Sequence, residues 1–371
     1  MRELTLMIKP ASGLCNLACE YCFYRDLTQC RERASYGVMS RETLEAVVRR
    51  ACREAEQGVN FIFQGGEPTL AGLEFYRQFE AFVKQYAPRG LRVSRSIQTN
   101  ATLIDEEWAA FLKRYGYLAG VSLDGPAELQ NDLRPTAAGG GSFSPVMAGI
   151  RRLEKAGVPY NILTVVSEPV ARKGAAVYRF LRKNGWDYLQ FIPCLDPMEA
   201  PPTPVSLKPE TYGRFLCTTF DLYFQELSRG GEVSVRWFDN VAALLAGYPP
   251  ESCGVSGVCA AQIVLEADGS AYPCDFYVHP RYRLGSAVTD SFQDMLSCET
   301  ARHFQECSRP LPADCAACPA YPLCRNGCRR YRLPYLGDAP GKNVLCGAYR
   351  SFFDYAGERL VLLARAMRGG R

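Results

Sequence analysis

The chain reads as an α/β protein, a partial (β/α)6 barrel followed by a smaller cysteine-rich domain. Two observations predict the barrel. Up to about residue 235, short β-like runs alternate with amphipathic helical stretches. These units number six, two short of the eight that close a full barrel. A third observation predicts the second domain: from about 236 the sequence turns irregular, rich in Pro, Gly and Cys, and could cover the barrel's open side. The expected division is 1–235 and 236–371.

The six candidate strands are Leu4 to Lys9, Asn60 to Gln64, Val93 to Thr99, Leu118 to Leu123, Tyr160 to Val166 and Tyr188 to Leu195. Between them Leu44, Val47, Val48 and Ala51 recur at helical spacing, as do Trp108, Phe111, Leu112 and Tyr115 after the N-cap candidate Asp105. These are core residues. The run Leu195 to Pro204 is Pro-rich and follows the sixth strand, where it could partly roof the barrel mouth. A hairpin is expected around Glu266 to Tyr272, and no repeat or low-complexity tract stands out.

A net charge of +4 with dispersed basic residues makes no case for nucleic acid or membrane binding. The N-terminal stretch lacks a long apolar run, and no later stretch reaches the length of a spanning helix, so a cytoplasmic protein is expected. In a long chain without a signal peptide, 17 cysteines, an odd number, point to metal ligands rather than disulfides.

Directly after the first strand stands Cys15-x3-Cys19-x2-Cys22. Three thiolates hold three irons of a [4Fe–4S] cube and leave the fourth open for chemistry. Structural zinc would want a fourth ligand, and none stands nearby. The second strand ends in Gln64-Gly65-Gly66-Glu67-Pro68, where glycines allow close backbone approach and the Glu could accept from an ammonium. Gln98-Thr-Asn100 and Ser122-Leu-Asp124 also place polar groups at carboxyl ends of strands, where barrel sites are built.

Cys15, Cys19, Tyr21 and Cys22 match the Cys-x3-Cys-x-aromatic-Cys opening of the radical S-adenosylmethionine (SAM) superfamily, which the chain resembles. The resemblance implies that the open iron chelates the amino and carboxylate groups of SAM. It also implies cofactor contacts from Tyr21, Gln64, Gly65, Gly66, Glu67, Ser122 and Leu195.

The later cysteines are Cys253, Cys259 and Cys274, then Cys315-x2-Cys318-x5-Cys324-x3-Cys328, and Cys346. On spacing alone these could be two zinc ribbons. The pattern resembles the SPASM extension of radical SAM enzymes. That resemblance implies one auxiliary [4Fe–4S] cluster on Cys253, Cys259, Cys274 and Cys328, a second on Cys315, Cys318, Cys324 and Cys346, and three [4Fe–4S] clusters in all. Cys30, Cys52, Cys194, Cys217, Cys298 and Cys307 are left as small apolar residues.

Ile8 to Ser12, Cys22 to Tyr24, Phe63 to Gly72, Cys194 to Pro197 and Tyr272 to Val278 resemble the anaerobic sulfatase-maturating enzymes more closely still. The family oxidises one Cys or Ser of a sulfatase to Cα-formylglycine. The resemblance implies a 5′-deoxyadenosyl radical that abstracts a Cβ hydrogen, and Asp275 as the base for the thiol or hydroxyl proton. It implies an unfolded or nascent sulfatase as substrate and a flavodoxin- or ferredoxin-type electron donor. Gln130 and Ala101 depart from the family's His and Gly and leave room for a shifted substrate preference. Two rival readings are SPASM modification of a ribosomal peptide, by thioether formation, cross-linking or epimerisation, and a non-catalytic zinc-ribbon scaffold or binding module.

Overall fold

The computed structural model describes residues 1–31 and 33–369. Among them are ten strands: β1 (Glu3–Ile8), β2 (Gly58–Phe63), β3 (Arg92–Thr99), β4 (Leu118–Ser122), β5 (Tyr160–Val166), β6 (Tyr188–Pro193), β7 (Ser234–Val235), β8 (Ile263–Leu265), β9 (Ser270–Tyr272) and β10 (Gly285–Ser286). All six expected strands are present, within two residues at each end. The expected hairpin is β8 and β9, paired antiparallel.

Packing divides the chain into two compact units that interleave along the sequence. One comprises Met1–Ser122, Arg134–Tyr160 and Ala261–Phe304; the other Leu123–Leu133, Asn161–Ala260 and Gln305–Arg371. The division expected at 235/236 therefore separates motifs along the chain, while packing assigns the β8–β9 hairpin to the unit that contains β1.

In the first unit β1 to β4 run parallel, with Leu6 opposite Phe61 and Ile8 opposite Phe63. β8 pairs in parallel with the other edge of β1, Ile8 opposite Leu265, so β1 is not left as an open edge. The helix Arg41–Glu54 is capped by the Ser40 side chain and buries Leu44, Val47, Val48 and Ala51 completely. The helix Glu106–Tyr115 starts on Asp105, whose carboxylate accepts from Trp108 N at 2.8 Å, and stops at left-handed Gly116. Phe61, Phe63, Tyr76 and Phe79 meet edge to face at 4.9 to 5.0 Å between ring centroids. Each such fully buried aromatic stabilises the fold by about 2–3 kcal/mol.

In the second unit β5, β6 and β7 run parallel. Phe220, Trp237, Phe238 and Phe352 form its aromatic core, where the helix Pro209–Ser228 meets the helix Cys346–Gly369. Among the described residues no helix is long and apolar enough to cross a membrane.

Candidate active site

The loop that carries Cys15, Cys19 and Cys22 leaves the carboxyl end of β1 and is tied down on two sides. On one side Glu67 N donates to Leu14 O at 2.7 Å. This approach is possible only because residue 66 is glycine: its φ is +50°, and a Cβ there would lie 2.1 Å from Leu14 O. On the other side Ala18 N donates to Pro135 O at 2.8 Å and Ala137 N to Asn16 O at 2.9 Å, flanking a bridge between Leu17 and Thr136. The same segment supplies Arg134, whose guanidinium stands 5.3 Å over the Tyr21 ring. Burial pushes the Cys22 thiol up, and Arg134, Arg25 and Lys9 pull it back. Cys15 lies within electrostatic range of Cys22 and Arg134. Three neighbouring thiols, of which burial makes Cys15 and Cys22 costly to ionise alone, beside cationic groups, suit a metal cluster whose own charge stabilises the thiolates.

The sequence offers the Glu67 carboxylate to an ammonium. In the structure it is buried and accepts from Thr69 N at 3.0 Å, Thr69 Oγ1 at 2.6 Å, Thr99 Oγ1 at 2.7 Å and Asn100 N at 2.7 Å. Three of those bonds fall on Oε1 and one, from Asn100 N, on Oε2. Glu67 thus ties the end of β2 to the end of β3. Ser122 Oγ accepts from Gln98 Nε2 at 3.1 Å. Leu195, half-buried, follows β6 in the second unit.

Asp275 opens a short 3-10 turn, Asp275–Tyr277, immediately after Cys274. Phe276 of that turn packs edge-on against Phe23, the residue after Cys22, at 5.0 Å. The Asp275 side chain is nearly buried and has two donors. Gln64 Nε2 donates to its Oδ2 at 2.6 Å, and the ammonium of Lys9 to its Oδ1. Gln64, expected at the cofactor, is therefore also a partner of the expected base. Lys9 is the residue of this cluster that sequence reasoning missed. The available signal was a lysine at the carboxyl end of a barrel strand, a place where burial requires a partner.

The two departures noted in the sequence have structural answers. Gln130 is buried and its Oε1 accepts from Asp124 N at 2.9 Å. Ala101 is buried with φ of 58°.

In the second unit Cys253, Cys259 and Cys328 converge. Burial pushes the Cys328 thiol up to about 12, and its neighbours Cys253 and Cys259 add to the rise. Arg332 is the staple of this region: it donates to Asn326 O at 3.0 Å, Ser308 O at 2.9 Å, Gly257 O at 2.6 Å and Gly327 O at 2.5 Å. Cys315, Cys318, Cys324 and Cys346 line one cavity of about 310 Å³ together with Lys342 and Arg350. Four thiols around one cavity fit the second auxiliary cluster. Cys274 lies in the first unit. Of the remaining cysteines, Cys52 and Cys194 are buried, in keeping with an apolar role.

The comparisons agree with this geometry. Residues 10–171 match the radical SAM superfamily and residues 257–319 an iron–sulfur cluster-binding domain, SPASM. The chain is 43% identical to a cysteine-type anaerobic sulfatase-maturating enzyme of Clostridium novyi, over 99% of both chains. It is 32% identical to a serine-type anaerobic sulfatase-maturating enzyme of Bacteroides thetaiotaomicron, over 95% of this chain and 89% of that one. It superposes on native anSMEcpe with bound AdoMet and Cp18Cys peptide with a TM-score of 0.94 and 40% identity, covering 98% and 99% of the two chains. A partial barrel with a SPASM domain is thus the fold, and the zinc-ribbon scaffold falls away. The chain belongs to the anaerobic sulfatase-maturating enzymes, radical SAM enzymes that use SAM, a [4Fe–4S] cluster and further iron–sulfur clusters in a SPASM domain.

Proposed function

We propose that the chain oxidises a cysteine side chain of a sulfatase polypeptide to Cα-formylglycine, with Asp275 as the base. The observation that carries this is the Asp275 carboxylate beside Cys274, held by both Gln64 and Lys9. The choice of cysteine rests on the relatives: the cysteine-type enzyme matches over the full length of both chains at 43%, the serine-type one at 32%.

When bound, SAM and the clusters supply the radical that removes the Cβ hydrogen and an acceptor for a second electron. The chain's own residues supply the rest. Asp275 takes the thiol proton, and loss of a hydrogen atom, a proton and an electron leaves a carbon–sulfur double bond. Water converts it to the aldehyde and hydrogen sulfide. Gln64 fixes one carboxylate oxygen, and the turn Gly65–Gly66 offers backbone to the cofactor. Cys15, Cys19 and Cys22 hold the first cluster, and Cys315, Cys318, Cys324 and Cys346 one auxiliary cluster. Cys253, Cys259 and Cys328, with Cys274 as the assigned fourth ligand, hold the other. An external flavodoxin- or ferredoxin-type donor delivers the first electron, and so many thiolate ligands suit the reducing cytoplasm.

The test is anaerobic incubation of the reduced, reconstituted enzyme with SAM and paired sulfatase-motif peptides carrying Cys or Ser at the target position. We expect 5′-deoxyadenosine together with loss of sulfur from the Cys peptide, read by mass. A product that loses hydrogen but keeps its sulfur would overturn this reading in favour of ribosomal-peptide modification.

A further inference from the structure

Lys9 is fully buried, and everything around it is built to hold its ammonium in one place. Its backbone is fixed by Lys9 N donating to Leu265 O at 2.8 Å. Its stem runs over Gly65, where a Cβ would lie 2.6 Å from Lys9 Cγ and 3.0 Å from Nζ. Residue 65 must therefore be glycine for the lysine's sake as well as for its own φ of +99°. The ammonium stands 4.1 Å over the Tyr24 ring. Tyr24 is fixed in turn by its hydroxyl, which donates to the buried Glu266. Glu266 also accepts from Ser12 Oγ at 2.7 Å and Arg31 Nη1 at 2.9 Å.

We propose that Lys9, seated on the Tyr24–Glu266 platform, is the positioning residue of Asp275. Lys9 holds Oδ1 and Gln64 holds Oδ2, so the carboxylate has a single orientation. With Lys9 lost, the Gln64 bond alone leaves it free to turn. A misplaced base costs rate in the step that removes the substrate's proton and leaves SAM cleavage intact. The proposal rests on Asp275 being the base.

The experiment compares Lys9→Met, Lys9→Arg, Asp275→Asn and the double variant Lys9→Met/Asp275→Asn in cluster-loaded protein. Four quantities are read: iron per chain, formylglycine formed per 5′-deoxyadenosine, kcat and KM for the peptide, and the melting temperature. Lys9→Met should keep its iron and its KM while formylglycine per 5′-deoxyadenosine falls about tenfold or more, and Lys9→Arg should recover part of the loss. The double variant should be no slower than Asp275→Asn. It should melt higher than Lys9→Met, because it no longer buries an unpaired carboxylate.

An unchanged product ratio in Lys9→Met overturns the proposal. So does a parallel loss of iron and both products, which marks a purely structural role. If Lys9→Met does not fold, the double variant decides by comparison with Asp275→Asn: an equal product ratio supports positioning, and a further tenfold fall overturns it. Normal conversion by Asp275→Asn would instead sink the base assignment itself.

Discussion

Ala101 sits in the left-handed region with φ of 58°, where a Cβ costs about 1 kcal/mol. Replacing a buried alanine by glycine ordinarily destabilises by about 1 kcal/mol. Here relief of the left-handed penalty offsets that loss, so Ala101→Gly should leave the melting temperature unchanged or slightly raised; a clear fall would show that the methyl packing dominates. Glu266 gives a pH prediction. Burial pushes its carboxyl from 4.5 up to about 7, against the pull of Lys9 and Ser12 and with the Arg31 guanidinium 2.9 Å away favouring the charged form. The folded chain therefore keeps a proton that the unfolded chain releases. That contribution is complete below the ordinary carboxyl value and is lost as pH rises through about 7. Glu266→Gln should flatten the decline in unfolding free energy between about pH 5 and 8, and an unchanged slope would place the proton elsewhere. Residue types were legible in the sequence at this scale, but side-chain directions were not. Glu67 stood out as a possible partner for an ammonium, but its burial against the donors of Thr69, Thr99 and Asn100 was not legible.

Elements were the most legible level, since periodicity is local. The six strands, the Arg41–Glu54 and Glu106–Tyr115 helices and the β8–β9 hairpin all lie where their patterns put them. What local pattern could not supply is a brace made by one side chain across distant loops. Arg332 is such a brace: buried, it joins the carbonyls of Gly257, Ser308, Asn326 and Gly327. In sequence it is one arginine among many. Leaving several buried carbonyls without a donor costs about 1–3 kcal/mol each. Arg332→Met should therefore lower stability by several kcal/mol and shed iron from the Cys253–Cys259–Cys328 group. Lys at this position carries a single nitrogen and should rescue only partly. A methionine variant that melts normally and keeps its iron would remove Arg332 from this role.

Across the whole molecule, the sequence disclosed the cysteine motifs but not the packing that surrounds them. The parallel pairing of β8 with β1 joins residues about 260 apart, and no periodicity encodes such a partner. It brings the turn after β9, with Asp275, to the Lys9 end of β1. The cysteine sets, by contrast, rest on family resemblance, and they predict an iron count. Three cubes of four give about twelve irons per reconstituted chain. Cys15, Cys19 and Cys22 lie on a loop tied within the first unit, whereas Cys315, Cys318, Cys324 and Cys346 share a cavity in the second. Replacing the first three together by Ala should thus remove about a third of the iron, abolish 5′-deoxyadenosine formation and leave the Cys315 cavity loaded. Iron and sulfide assays beside the SAM-cleavage assay check this. Persistent 5′-deoxyadenosine in the triple variant would mean that the cluster acting on SAM is held by other cysteines, and loss of all iron would mean that the auxiliary sites do not assemble independently of the first.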